Sequence, residues 1–255
     1  MRASIQVCGC FPTGQYYPGI ADRIANAAKE VEGLAPGFDG KTNWVEAPLV
    51  VIDFETTGRD PTQDRIIEIG IALFEGATLC EAPRAWLVNP GIPISPESTK
   101  ITGIDDSMVR DAPNFAQLFP EIVHFLRKRI PVAYNYTFDR SFLLAETSRW
   151  KLPAEADVPA LDPRCVWIDP LVWARMLQPE APNHQLSEVC NRFGISIQKA
   201  HRANHDAEAT GRLLLAMTRD LPQYYGELIR LQKRYASAQD LAALQRLDAK
   251  RKGQT

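Results

Sequence analysis

Asp53 and Glu55 stand two residues apart in Leu49-Val50-Val51-Ile52-Asp53-Phe54-Glu55-Thr56-Thr57-Gly58, a pair of acids closing an otherwise apolar run. Side chains alternate along an extended chain, so residues 53 and 55 share one face while Val50, Ile52 and Phe54 point to the other. Two carboxylates on one wall repel, and each opposes ionisation of its neighbour. A divalent cation between them removes the repulsion, and hard oxygen donors suit Mg²⁺ or Mn²⁺. The pair therefore reads as half of a metal site that acids from elsewhere must complete. Asp139 closes Asn135-Tyr136-Thr137-Phe138-Asp139 at a strand-to-helix junction, and Asp206 closes His201-Arg202-Ala203-Asn204-His205-Asp206 at the start of a helix.

Several elements must carry these residues. Runs at 49–55, 65–74 and 84–88 are β-branched or apolar and bounded by Gly, Pro and Asp, which predicts three consecutive strands in a meander. The period then changes: Phe115, Leu118, Phe119, Ile122, Val123 and Leu126 recur at helical spacing. Residues 131–134 read as a short strand, 138–147 as a helix and 166–168 as a last strand. Asp169-Pro170 supplies an N-cap and first-turn proline for a helix through Leu177. Further helices are expected at 186–193, ended by Gly194, and at 204–218. The sum is a mixed five-stranded α/β sheet flanked by helices. Residues 1–44 form an N-terminal extension, with Ile20, Ile24, Ala27, Val31 and Leu34 spaced as an amphipathic helix. The compact domain spans 45–220, and a polar helical tail covers 221–255.

Taken in order, Asp53-Phe54-Glu55-Thr56-Thr57-Gly58, then Asn135 through Asp139, then His201-x-Ala203-x-x-Asp206 closely resemble the three motifs of the DEDDh 3′-to-5′ exonucleases, which include the proofreading epsilon subunit of bacterial DNA polymerase III. The resemblance covers about residues 47–218. It implies a ribonuclease H-like fold in which Asp53, Glu55, Asp139 and Asp206 hold two divalent cations, Mg²⁺ or Mn²⁺. It further implies that His201 is the base taking a proton from the attacking water. Imidazole suits that task, since a good fraction is neutral at neutral pH. By the same resemblance Thr56, Thr57 and Gly58 receive the terminal nucleotide, with Gly58 allowing a tight turn and close backbone approach. Phe138 is a candidate for base stacking, although an apolar residue there also suits a core. Glu68 is assigned a supporting role, Asp169 a capping role, and His205 a place on the helix surface.

The implied reaction is hydrolysis of phosphodiester bonds at DNA 3′ ends, releasing 5′-mononucleotides in proofreading or repair, with a DNA polymerase as a candidate partner. Trimming of RNA 3′ ends uses the same machinery, and a non-catalytic nucleic-acid-binding or docking module is a third reading. The intact set with His201 argues against the last. Two departures stand near the motifs: Tyr134 replaces a frequent histidine, and Thr102-Gly103-Ile104 replaces a common His-Gly-Ile.

Bulk properties narrow the class further. The net charge of −2 lacks the global basicity of a protein that coats nucleic acid, so contact with a strand must be local and metal-assisted. Five scattered cysteines fit reduced thiols in the cytoplasm better than a disulfide framework, and the Cys8-x-Cys10 pair alone is a weak zinc signal. The sequence has no apolar stretch of about 18 residues, so membrane spanning lacks support.

Overall fold

The computed structural model describes residues 31–197 and 202–252. Its centre is strand β1 (Leu49–Thr56), antiparallel to β2 (Ile66–Glu75) on one side and parallel to β5 (Ile130–Val132) on the other. The outer edge of β2 carries β3 (Thr78–Leu79) and β4 (Arg84–Leu87), both antiparallel. β1 and β2 are buried almost throughout, which explains why they read as continuous apolar runs instead of alternating ones. Within this pair Asp53 lies opposite Gly70 and Glu55 opposite Glu68.

Helices flank the sheet: α1 (Pro96–Thr102), α2 (Asp106–Val109), α3 (Phe115–Leu126), α4 (Tyr136–Arg149), α5 (Pro170–Leu177), α6 (Leu186–Arg192), α7 (Ala203–Ala216) and α8 (Tyr225–Lys252). The six apolar residues that predict α3 are all buried, and the Asn114 side chain and Gln117 close a reciprocal cap at its start. α7 lies across β1 and β2, α4 contacts β1, and α8 packs on α5. The mixed sheet with flanking helices matches the expected architecture.

One expectation needs correction. The fifth strand is β3, while 166–168 contributes one parallel bridge, Ile168 to Val132, because Asp169 already caps the helix that starts at Pro170. α1 and α2 occupy a stretch that sequence patterning left unassigned. The helix expected over 20–34 falls outside the described residues except at its end, where 31–34 form a turn with Gly33 at φ 101°. Cys8 and Cys10 also lie outside the described residues. Cys80, Cys165 and Cys190 are free thiols. Among the described residues no helix is long and apolar enough to cross a membrane.

Candidate active site

β1 delivers Asp53 and Glu55 at its C-terminal end, and α7 delivers Asp206 from its first turn. One carboxylate oxygen from each of the three lies within 4.8 Å of the others. Asp206 is buried, and Asp53 and Glu55 are partly exposed. Asp139, one turn into α4, stands beside this triad: its Oδ1 accepts the N–H of Phe54, the residue between Asp53 and Glu55, at 3.0 Å. The structure thus gathers acids from three distant segments, with Asp139 turned onto the strand backbone. His201 lies outside the described residues.

The electrostatics are those of carboxylates held together against their preference. Burial, then the charges of Asp139, Asp206 and Glu55, push Asp53 well above the ordinary carboxylate range. Burial and Asp206 bring Glu55 up to about 7. Asp139 is likewise raised by burial, opposed by the Phe54 N–H. Such a donor set, all oxygen and crowded, fits hard divalent cations, whose charge removes the penalty that raises these groups.

Two buried contacts fix where α7 starts. Glu68, fully buried on β2, accepts the Ala203 N–H at 3.0 Å and pairs with the Arg202 guanidinium. Gly70 makes the second contact, since a Cβ there would sit 2.0 Å from the Ala203 carbonyl carbon. Helix and strand therefore touch backbone to backbone, which sets Asp206 against Asp53. Glu68 acts on the helix start and is no member of the triad, in line with its supporting assignment.

The turn after β1 is held as closely. Thr57 donates its hydroxyl to Asp64 Oδ1 and accepts the Arg65 N–H, each at 3.0 Å, and Asp64 packs so tightly on Gly58 that a Cβ would lie 2.4 Å from its carboxylate. Ser98 on α1 donates to the Thr56 carbonyl at 2.7 Å. Beside this turn is a cavity of about 420 Å³, lined in part by Glu55, Thr56, Thr57, Gly58, Ile101 and Phe138. Its size suits a nucleotide-scale group, and its apolar walls suit a base. Phe138 is half-buried, with its ring 4.9 Å from that of Phe142, so it serves the core and the cavity wall together. Ile101, 54% exposed, was not singled out from sequence; an exposed isoleucine inside an unrecognised helix gave no signal. Asp169 caps α5 through the Leu171 N–H, and His205 is partly exposed on α7, as expected for both. Burial pushes the thiols of Cys165 and Cys190 up to about 12, which leaves neither as a nucleophile.

Comparison with known proteins agrees with this geometry. The family model described as Exonuclease (RNase T) matches residues 50–214. DNA polymerase III PolC-type from Streptococcus pneumoniae is 36% identical over 208 residues, 81% of this chain and 13% of that protein, so the chain spans only a small part of the length of such relatives. Among solved structures, exonuclease X in complex with 5′-overhanging duplex DNA is 27% identical with a TM-score of 0.55, covering 72% of this chain and 99% of that one. E. coli exonuclease I in complex with a dT13 oligonucleotide, 21% identical with a TM-score of 0.59, covers 68% of this chain and 41% of that one and shares its fold.

Proposed function

The chain belongs to the RNase T-type exonuclease family, and from that premise we propose that it is a metal-dependent 3′-to-5′ exonuclease that removes 5′-mononucleotides from DNA 3′ ends. The observation carrying this reading is the convergence of Asp53, Glu55 and Asp206, from two separate segments, to within 4.8 Å with Asp139 alongside.

Asp53, Glu55, Asp139 and Asp206 would hold two divalent cations, Mg²⁺ or Mn²⁺. When bound, these supply positive charge to the scissile phosphate, the attacking water and the leaving oxygen. The protein's own groups do the rest. The turn at Thr56–Gly58 receives the terminal nucleotide with its backbone, and contact of that backbone with the free 3′ end favours a chain end over an internal bond. Phe138 and Ile101 offer apolar surface to the base. Glu68 holds the start of α7 so that Asp206 faces β1. His201, on the segment leading into α7, accepts the proton of the attacking water.

The names of the PolC-type and exonuclease X relatives support DNA over RNA, with proofreading or repair as the setting and a DNA polymerase as the partner class to test. Free, buried Cys165 and Cys190 fit a cytoplasmic location.

The test is a 3′-end degradation assay on single-stranded DNA, mismatched duplex DNA and RNA, run with Mg²⁺, Mn²⁺ or EDTA. We expect mononucleotides from the DNA substrates with either metal and none in EDTA. Undiminished release in excess EDTA, or no release with any metal, overturns the proposal.

A further inference from the structure

We infer that Gln232, on the C-terminal helix and outside the segment matched by the family model, is a positioning residue for Asp139, acting through Asp169. The inference rests on the assignment of Asp139 to the metal site.

Gln232 is 1% exposed although it sits on a helix whose composition is polar. Its amide makes three bonds. Oε1 accepts the Asp169 N–H at 2.8 Å and the Trp173 indole N–H at 3.3 Å, and Nε2 donates to the Trp167 carbonyl at 2.8 Å. Both partners of Oε1 are donors only and the partner of Nε2 is an acceptor only, so one orientation of the amide satisfies all three. The side chain thereby pins the backbone on both sides of Ile168, where the chain leaves its bridge to β5 and begins α5.

Asp169 passes this constraint on. Its Oδ1 accepts the Leu171 N–H of its own helix and the Asn135 N–H, both at 2.9 Å, and the carboxylate also accepts from Tyr136. One buried carboxylate thus caps two helices, α5 and α4. Asn135 needs the hold: it lies in the left-handed region at φ 64°, and its side chain makes no capping bond. That conformation persists in a non-glycine residue only when its surroundings fix it. Asp139 follows one turn later, and its reach to the Phe54 N–H depends on where α4 starts. The series runs Gln232, Asp169, Asn135, Asp139, Phe54, and every link is a hydrogen bond or one turn of helix.

Gln239 provides an internal control. It lies two turns further along α8 and donates from Nε2 to the Val172 carbonyl on α5 at 2.9 Å, so it joins the same two helices without touching Asp169. A merely structural role for Gln232 predicts that Gln232→Met and Gln239→Met behave alike. The relay predicts that they differ.

The experiment titrates Mn²⁺ into the metal-stripped full chain by calorimetry and follows thermal unfolding of the same samples. We expect both variants to unfold at lower temperature. Gln232→Met should weaken Mn²⁺ binding about tenfold, as loss of groups that orient ligands does, while Gln239→Met leaves it at the wild-type value. Trp173→Phe, which removes one donor to Oε1 and keeps the other two bonds of the amide, tests the same link if Gln232→Met fails to fold, and should weaken binding in the same direction. Wild-type Mn²⁺ affinity in folded Gln232→Met, or in Trp173→Phe where Gln232→Met does not fold, overturns the relay. Wild-type protein that binds no Mn²⁺ overturns the metal site itself, a separate outcome.

Discussion

Gly70→Ala should separate the geometry of the site from the stability of the fold. Gly70 pairs with Asp53 across β1 and β2, and the Cβ introduced there would lie 2.0 Å from the Ala203 carbonyl carbon, 2.1 Å from its oxygen and 2.5 Å from the Asn204 nitrogen. These are backbone atoms of α7 and cannot rotate away. Ordinary contact begins near 3.4 Å, so the start of the helix must retreat by about 1.4 Å. Glu68, bonded to the Ala203 N–H from the same strand, resists that retreat. Asp206 is three residues further on, and a cation that requires oxygen ligands near 2.1 Å tolerates little of this movement. A displacement of about 1 Å at a reacting centre costs roughly a hundredfold in rate, and overpacking costs about 1–3 kcal/mol in stability. Gly211→Ala supplies the contrast, because its Cβ would meet the ring of Phe74, a side chain and not backbone, more than one turn beyond Asp206. Its stability should fall while its rate stays within about threefold of wild type. Single-turnover release of a labelled 3′ nucleotide, with thermal unfolding alongside, reads both quantities. Folded Gly70→Ala with the wild-type rate would refute the argument that backbone contact between β2 and α7 sets the site.

The raised carboxyl groups carry a pH signature. Glu55 binds its proton up to about pH 7 in the folded protein but only to about 4.5 as an ordinary carboxyl, so between these values the folded state holds the extra proton. Metal-free stability therefore falls as pH rises through that window, by about 3 kcal/mol for this group; identical unfolding midpoints at pH 5 and pH 8 in EDTA would contradict it. Asp53→Asn removes one charge from the crowd, and should raise the midpoint in EDTA at pH 8 while abolishing nuclease activity. His201→Ala should keep Mn²⁺ binding and lose about a hundredfold or more in rate; an unchanged rate removes His201 from the mechanism. Glu68→Gln keeps an acceptor for the Ala203 N–H but weakens the hold on Arg202, and should lower Mn²⁺ affinity about tenfold, which calorimetry measures.

What was legible in the sequence shares one property: its signal is local. β1 announces itself by an apolar run broken only at Asp53 and Glu55, α3 by six buried residues at helical spacing, and α5 by Asp169-Pro170. α1 carries its local signal only in its ends. Ser95 caps Ser98, Pro96 and Glu97 occupy the first turn, and Gly103 ends the helix at φ 71°, but seven residues with an exposed Ile101 show no apolar period. Ser98 sits on this helix, and its bond to the Thr56 carbonyl spans 42 positions. Glu68 and Gln232 mark the limit of such reading. Each is a polar residue whose burial makes sense only beside a partner far along the chain: Arg202 and Ala203 for one, Trp167, Asp169 and Trp173 for the other. The acids of the candidate site stand out because their order along the chain follows a family pattern, whereas the groups proposed to aim them are defined by pairings that only the fold creates. Glu68 lies within the motif-bearing segment, and its supporting role could be assigned from its strand. Gln232 lies beyond it, on a helix of polar composition, and its burial and three satisfied bonds exist only in the folded chain.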